Sequence, residues 1–559
     1  MDPGYLPYRK RDGTASRDAL NHPYFAGHGY ACLRVDMRGS GESDGILLDE
    51  YTQIEHDDCL EVLAWLEKQS WCTGAVGMIG ISWGGFNGLQ LAALNPPQLK
   101  AVVSIAATVD RYADDIHYKG GCLLVENFGW AAQMLSYMSR PPDPALVGES
   151  WKQLWLERLA VQPHLAETWF EHPARDHYWR HGSVCENYGD VKAAVLTVGG
   201  LADGYMNAVP ALLENLEAPV KGLLGPWVHL YPNFAVPGPA IGFLQESIRW
   251  FDRWLKDEPN DVEALPALRA YQRTFDRPSP VAKERSGGWL AIGTWPTPEV
   301  SAGSWYLNNE GLSERAGKGR WVEHRSAEDI GLYAGVYFAW HGPDQPGDQR
   351  DEDVRSLCFD GQVPAEGLEI LGRPVLHLRL KVNRPQAHLA VRLNEVGEDG
   401  ASLRVSYGVA NLSQRDGSDS RPSAMPIDEP VDVEVLLDTT CHRFTPGNRI
   451  RVSISTSYWP LIWPDPEPVT LCVETGTSWI ELPVFSASTP VPVEFDEAQT
   501  APPLETREIR PLHHERRVTK EAGSGLSIVE IDYDNGCYEN LEHGLITDSV
   551  HRECYSIHP

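Results

Sequence analysis

The chain of 559 residues contains no run of about 18 apolar residues that would cross a bilayer. Its first residues, MDPGYLPYRKRDG, lack the apolar centre of a secretory signal. No C-x-x-C pair occurs among the ten cysteines, so a zinc ribbon or dithiol redox motif has no support. Free thiols in a cytoplasmic protein are the expectation. Positive charge is scarce: 48 Lys and Arg against 78 Asp and Glu leave a net charge of −30, which repels phosphate backbones. Neither nucleic acid nor a membrane is therefore expected as a partner. The glycine-rich DMRGSGES (Asp36–Ser43) has no G-K-[ST] and reads as the turn after a strand. No internal repeat is present.

What is present is a chain too long for one core, with two to four domains expected. Up to about residue 260, apolar runs alternate with helical patterns. YACLRVDM (Tyr30–Met37), AVGMIGI, KAVVSIAATVD (Lys100–Asp110), KAAVLTVGGLAD (Lys192–Asp203) and VKGLLGPWVHL (Val220–Leu230) read as buried strands. IEHDDCLEVLAWLEKQ (Ile54–Gln69) has helical spacing. Such alternation predicts a mostly parallel sheet with helices on both faces, over residues 1–110 and 191–262. Residues 111–190, rich in Trp, His and Tyr, read as a helical cap inserted between two strands. Residues 263–490 switch to period-two patterns such as PVLHLRLKVNR and AHLAVRLNEV, with GEDGAS as a hairpin turn, and predict an all-β sandwich. Residues 491–559 read as a linker and C-terminal extension.

The chemistry centres on GISWG, Gly80 to Gly84, a G-x-S-x-G between a strand and a helix. That context suits a nucleophile elbow: the glycines permit the sharp turn that lifts Ser82 above the sheet edge, beside a helix N-terminus that favours negative charge. The plain alternative is a glycine-rich turn with a capping serine. A serine nucleophile needs a base and an acid, which in this fold follow in the order Ser, Asp or Glu, His, each after a later strand. Asp203 ends the strand AAVLTVGGLAD, and His229 follows the next, in LLGPWVH. Taken singly, Asp203 is also a common turn residue in ADGY, and His229 is one of 19 histidines. Jointly, a histidine takes the serine proton and returns it to the leaving group, while the aspartate fixes its tautomer.

These residues resemble the CocE/NonD hydrolases (cocaine esterase-like), relatives of the X-Pro dipeptidyl-peptidases. The resemblance rests on PYRKRD (Pro7–Asp12), HPYFAGHGYACLRVDMRGSGESDG (His22–Gly45), GISWGG, GGLADGY (Gly199–Tyr205), GPWVH (Gly225–His229), FDRWLK (Phe251–Lys256) and TPGNRIRVSIS (Thr445–Ser455). It implies an α/β hydrolase with a helical cap and a C-terminal jelly roll, acting on esters or amides with no cofactor and no metal. It also implies an oxyanion hole made by the Trp83 backbone N–H and the Tyr8 hydroxyl. Members usually carry several tens of residues before this tyrosine, as the first strands of the sheet. Here seven precede it, and MDPGYL is a poor strand pattern.

The expected activity is thus a carboxylesterase or acylase acting on small esters, amides or short peptides through an acyl-enzyme. An X-Pro dipeptidyl-peptidase is the alternative and needs a carboxylate for a free α-amino group. Asp114 and Asp115 in YADDIHY are candidates for it, or simply solvated. A second alternative is an impaired, shortened homologue that only binds. SYWPLIWP (Ser457–Pro464) places Trp459 and Trp463 either in the jelly-roll core or on an acyl-pocket wall. DYDNGCYENLE (Asp532–Glu542) misses the spacing of a calcium loop and reads as a turn. Whether copies of the chain associate is left open.

Overall fold

Seven parallel strands build the first half of the molecule. The computed structural model describes residues 2–340, 342–417, 421–486 and 493–558. The strands Val76–Ile81, Leu99–Ile105, Ala194–Gly200, Val220–Gly225 and Leu268–Arg273 lie side by side in that order. Every residue of Val76–Ile81 and of Ala194–Gly200 is buried. That burial explains why these segments are continuous apolar runs without alternation: helices cover both faces. On one face lies the helix Trp83–Ala93, buried along nearly its whole length. On the other, Phe243–Leu255 buries Phe243, Leu244, Ile248, Trp250 and Phe251 and turns its arginines outward.

The first strand departs from expectation. MDPGYL reads poorly because Pro and Gly are depleted in strands. Yet Asp2–Leu6 is a strand, pairing in parallel with Cys32–Asp36 from Asp2↔Cys32 to Leu6↔Asp36. Its other side is tied to the helix Trp83–Ala93, where Asn87 Nδ2 donates to Tyr5 O at 3.1 Å. The pairing comes from tertiary neighbours and overrides local propensity. Cys32–Asp36 is less buried than its apolar pattern predicts, with only Asp36 fully covered.

Residues between Asp110 and Val191 leave the sheet and form mainly helices, among them Glu126–Met138, Trp151–Val161 and Leu165–Glu171. Beyond Arg273 the chain is almost all β. Leu357–Gln362, Arg449–Ser455, His388–Val396 and Ser402–Asn411 form one antiparallel sheet. It closes on a second, built around Val375–Val382, Thr470–Glu474 and Trp479–Phe485, over a core of Leu, Ile and Val. The turn Gly397–Ala401 joins two of these strands where GEDGAS predicted it. The two halves share a hydrogen-bonded ladder. Leu268–Arg273 pairs with Val220–Gly225 on one side and Gly287–Ile292 on the other, and Arg273 bridges to His442 of Thr440–Phe444.

After residue 493 the chain first runs back over the α/β half, where Ala501 N donates to Leu20 O. It then forms a small sheet from Thr506–Arg510, His513–Lys520, Ser527–Asn540 and Ile546–Ile557. The segment expected as a turn at Asp532–Glu542 lies largely within the third of these strands. Its glycine, Gly536, sits at positive φ in an irregularity between Asp534 and Cys537.

Candidate active site

Ser82 is the first residue after the strand Val76–Ile81 and the cap of the helix Trp83–Ala93. Its backbone has φ 58° and ψ −125°, a conformation that L-residues rarely adopt and that stores strain. The surroundings enforce it. The Ser82 N–H donates to Ile105 O at 2.9 Å, and Ser82 O accepts from Phe86 N at 2.9 Å. A Cβ on Gly80 would lie 2.6 Å from the Gly84 carbonyl carbon, so the first glycine of the motif is needed for the chain to double back. As the first residue of its helix, Trp83 has a backbone N–H with no intrahelical acceptor, which is what an oxyanion donor requires. Its indole is anchored from behind, where Nε1 donates to Glu55 Oε1 at 2.7 Å. Burial pushes the Glu55 carboxyl up to about 8, above its ordinary range.

The candidate acid and base, Asp203 and His229, come from two later strand ends. Asp203 follows Ala194–Gly200 in a tight turn, its N–H donating to Gly200 O at 3.0 Å. Asp203 Oδ2 meets His229 Nδ1 at 2.8 Å, and Oδ1 accepts from Tyr205 N at 2.9 Å. Both side chains are almost fully buried. The His229 N–H is fixed to Ala339 O at 3.0 Å, so a segment of the β half sets the height of the histidine. With Nδ1 committed to the aspartate, Nε2 carries no hydrogen bond to the described residues. None joins Ser82 directly to His229.

Tyr8 faces the Ser82 side chain. Burial, then the neighbouring Tyr137, holds its phenol well above the ordinary value, so it stays a protonated donor. The loop that carries it is stapled. Arg9 has φ 65°, and its guanidinium pairs with Asp12 at 2.9 Å and donates to Arg140 O and Pro141 O. A Cβ on Gly13 would stand 1.9 Å from Tyr8 O. The Tyr8 ring packs on Trp83, Trp130 and Tyr137, with centroids 6.2, 6.1 and 5.7 Å away. The last two belong to the helix Glu126–Met138.

The structure therefore brings Tyr8 to Ser82 and Trp83, and Asp203 to His229. It does not bring Trp459 or Trp463 into ring contact with any of them. Trp459 is buried in a separate cluster with Leu332, Val529 and Ile531, and Trp463 is half-exposed against Phe128. The aromatic rings around His229 are instead Phe338, Trp340 and Tyr205, at 4.8, 5.1 and 6.0 Å. Sequence reasoning missed these, and Trp130 and Tyr137 as well. The only signal was aromatic richness in the cap and in the GVYFAW loop. Asp114 and Asp115 are neither solvated nor open. Asp114 and Asp438 share Lys119, and Asp115 accepts from Tyr205 Oη at 2.7 Å.

Comparison with known proteins is consistent with this arrangement. Residues 4–231 match the X-Pro dipeptidyl-peptidase (S15 family) model, and residues 260–500 match the X-Pro dipeptidyl-peptidase C-terminal non-catalytic domain. Cocaine esterase from Rhodococcus sp. (strain MB1 Bresler) is 25% identical over 504 residues, covering 81% of this chain and 85% of its own. A putative Xaa-Pro dipeptidyl-peptidase from Bacillus cereus is 23% identical over 318 residues, 52% of this chain and 49% of its own. In fold, a CocE/NonD family hydrolase from Staphylococcus aureus superposes with a TM-score of 0.67 at 17% identity, over 86% of this chain and 88% of its own. An α-amino acid ester hydrolase does so with 0.68 at 23% identity, over 86% and 91%. With both halves matched in order, the chain is a relative of the X-Pro dipeptidyl-peptidases (S15 family) and of cocaine esterase, with the fold of the CocE/NonD hydrolases.

Proposed function

We propose that the protein hydrolyses small carboxylic esters or amides through an acyl-enzyme on Ser82. The observation that carries this reading is a buried His229–Asp203 pair at 2.8 Å with Nε2 uncommitted, on the strand ends that follow a strained serine elbow. Ser82 Oγ attacks the substrate carbonyl carbon and gives its proton to His229 Nε2. Asp203 holds the Nδ1–H and stabilises the imidazolium. The Tyr8 hydroxyl and the Trp83 N–H receive the developing oxyanion. His229 returns the proton to the leaving group, and water repeats the sequence to release the acid. Every step is supplied by side chains and backbone of this chain.

Ester cleavage is favoured over release of X-Pro dipeptides because Asp114 is committed to Lys119 and Asp115 is buried, with Oδ1 held by Tyr205 and Ile116 N. A substrate bearing a cationic group is the second reading. Glu126, one helical turn before Trp130, is held well above the carboxylate range by burial, with Glu553 and Asp344 charges adding to it. An ammonium beside it would relieve that burden. A fluorophosphonate probe tests the first claim: it should label the parent chain and not Ser82→Ala, and absence of labelling would leave a binding role. Rates on neutral p-nitrophenyl esters, amino acid p-nitrophenyl esters and Xaa-Pro anilides then separate the substrate classes.

A further inference from the structure

Beside the Asp203 turn lies a cavity of about 60 Å³ between the two halves of the molecule. That is well above the roughly 10–15 Å³ a single water needs. Three arginines line it: Arg273 at the end of Leu268–Arg273, Arg285 in the following loop, and Arg404 in Ser402–Asn411. In a chain of net charge −30, three guanidiniums around one small space would be expected to find carboxylates. They do not. Arg273 donates to Leu201 O, Val405 O and Thr440 Oγ1; Arg285 to Gln345 Oε1; Arg404 to Tyr458 Oη. Among the described residues, none of the three forms an ion pair. Arg273 Nε and Arg285 Nη1 are buried with no acceptor at all. Of the acids on the lining, Asp438 pairs with Lys119 and Asp203 with His229; Asp276 accepts from Ser286, and its charge reaches Arg273 and Arg285 without an ion pair. His442 is paired with Glu395. Burial, then the neighbouring charge of Arg285, pulls the Arg273 guanidinium down to about 10.

Three guanidiniums against one unpaired carboxylate leave positive charge in a confined space, which is costly, and water can bond to it without neutralising it. Guanidiniums pair with oxyanions through two parallel N–H bonds, and the unused Nε and Nη1 donors are of that kind. We propose that this cavity binds a small oxyanion, a phosphate or a carboxylate, held between Arg273, Arg285 and Arg404. Because Arg273 also holds Leu201 O, such an anion would tie the loop carrying Asp203 to the β half.

The test is thermal melting and titration calorimetry of the full chain in inorganic phosphate, in acetate, and in chloride at matched ionic strength. One anion per chain should bind, with a saturable rise in melting temperature of about 2–4 °C over chloride. A response to phosphate or to acetate alone identifies which oxyanion the site takes. Arg285→Gln and Arg404→Gln should each weaken binding at least about tenfold. Arg277→Gln, whose guanidinium pairs with exposed Asp399 outside the cavity, should bind as the parent does. If neither anion exceeds chloride, or if both cavity variants bind like the parent, the proposal fails. Should a cavity variant not fold, parent crystals soaked in selenate decide it. Anomalous density between the three guanidiniums supports the site, and density only elsewhere overturns it.

Discussion

Two buried histidine–carboxylate pairs sit in the α/β half and its cap, and they differ in one respect. His229 meets Asp203 through Nδ1 and keeps Nε2 uncommitted. His117 has both nitrogens occupied, Nδ1 by Asn127 Oδ1 at 2.7 Å and Nε2 by Glu50. Burial alone would lower the His117 value, but the Glu50 charge and hydrogen bond more than offset it and hold it above the ordinary one. With both nitrogens facing oxygen partners, the ring has no unshared nitrogen to offer. Burial beside a carboxylate therefore does not by itself make a base; a nitrogen must also be left unshared. The His442–Glu395 pair of the β half, at 2.6 Å, adds a second condition: its Nδ1 carries no hydrogen bond to the described residues, yet it lies far in sequence from the serine elbow, and its carboxylate is also held by Thr445 N and Asn448.

The sharpest way to break this contrast is to remove the proposed nucleophile and base. Ser82→Ala or His229→Gln should lower kcat on the order of 10⁶-fold while the melting temperature stays near that of the parent. A loss within tenfold would remove the residue from the mechanism. His117→Phe should do the reverse. It strands Glu50 in the interior and should cost about 3–5 kcal/mol of stability, read by denaturant melts, with kcat of the folded fraction within about tenfold. If activity vanished while stability held, His117 would belong to the chemistry.

Tyr8→Phe removes one proposed oxyanion donor and keeps the ring packing on Trp83 and Trp130. We expect kcat lower by about 10²–10³ with little change in KM, measured on a p-nitrophenyl ester. An unchanged rate would send the search for the second donor elsewhere. The smallest effect concerns Glu55 beneath Trp83. Its folded value of about 8 lies above the unfolded one, so the folded chain keeps a proton that the unfolded chain releases. Stability should thus fall as pH rises from the ordinary carboxylate range toward 8. Glu55→Gln, which can still accept from Trp83 Nε1, should flatten that decline by on the order of 1–2 kcal/mol. A slope identical in both proteins would show that Glu55 ionises freely.

The elbow was legible in the sequence because its chemistry is local: glycines where the backbone turns back, and a serine between a strand and a helix. Asp203 and His229 were legible through chain order, since each ends an apolar run. The aromatic surround was not. Phe338 and Trp340 sit in a loop of the β half with no periodicity to mark them, and tertiary contacts such as His229 N to Ala339 O and Tyr337 Oη to Gly204 O bring that loop to the site. Trp459 and Trp463 drew attention by composition, which says nothing of direction. Asp2–Leu6 failed as a strand prediction because its pairing with Cys32–Asp36 is a tertiary fact.

The ladder through Leu268–Arg273 has a bearing on how the molecule comes apart. That strand is a shared wall, bonded to the catalytic sheet on one edge and to Gly287–Ile292 on the other. Cutting the chain after residue 262 would strip Val220–Gly225 of its neighbour, open a long sheet edge to other chains, and take Ala339 from His229. The two halves are therefore not modules that evolution or a protease can separate at a linker. They should melt in one cooperative step, and the catalytic half should not survive as a fragment.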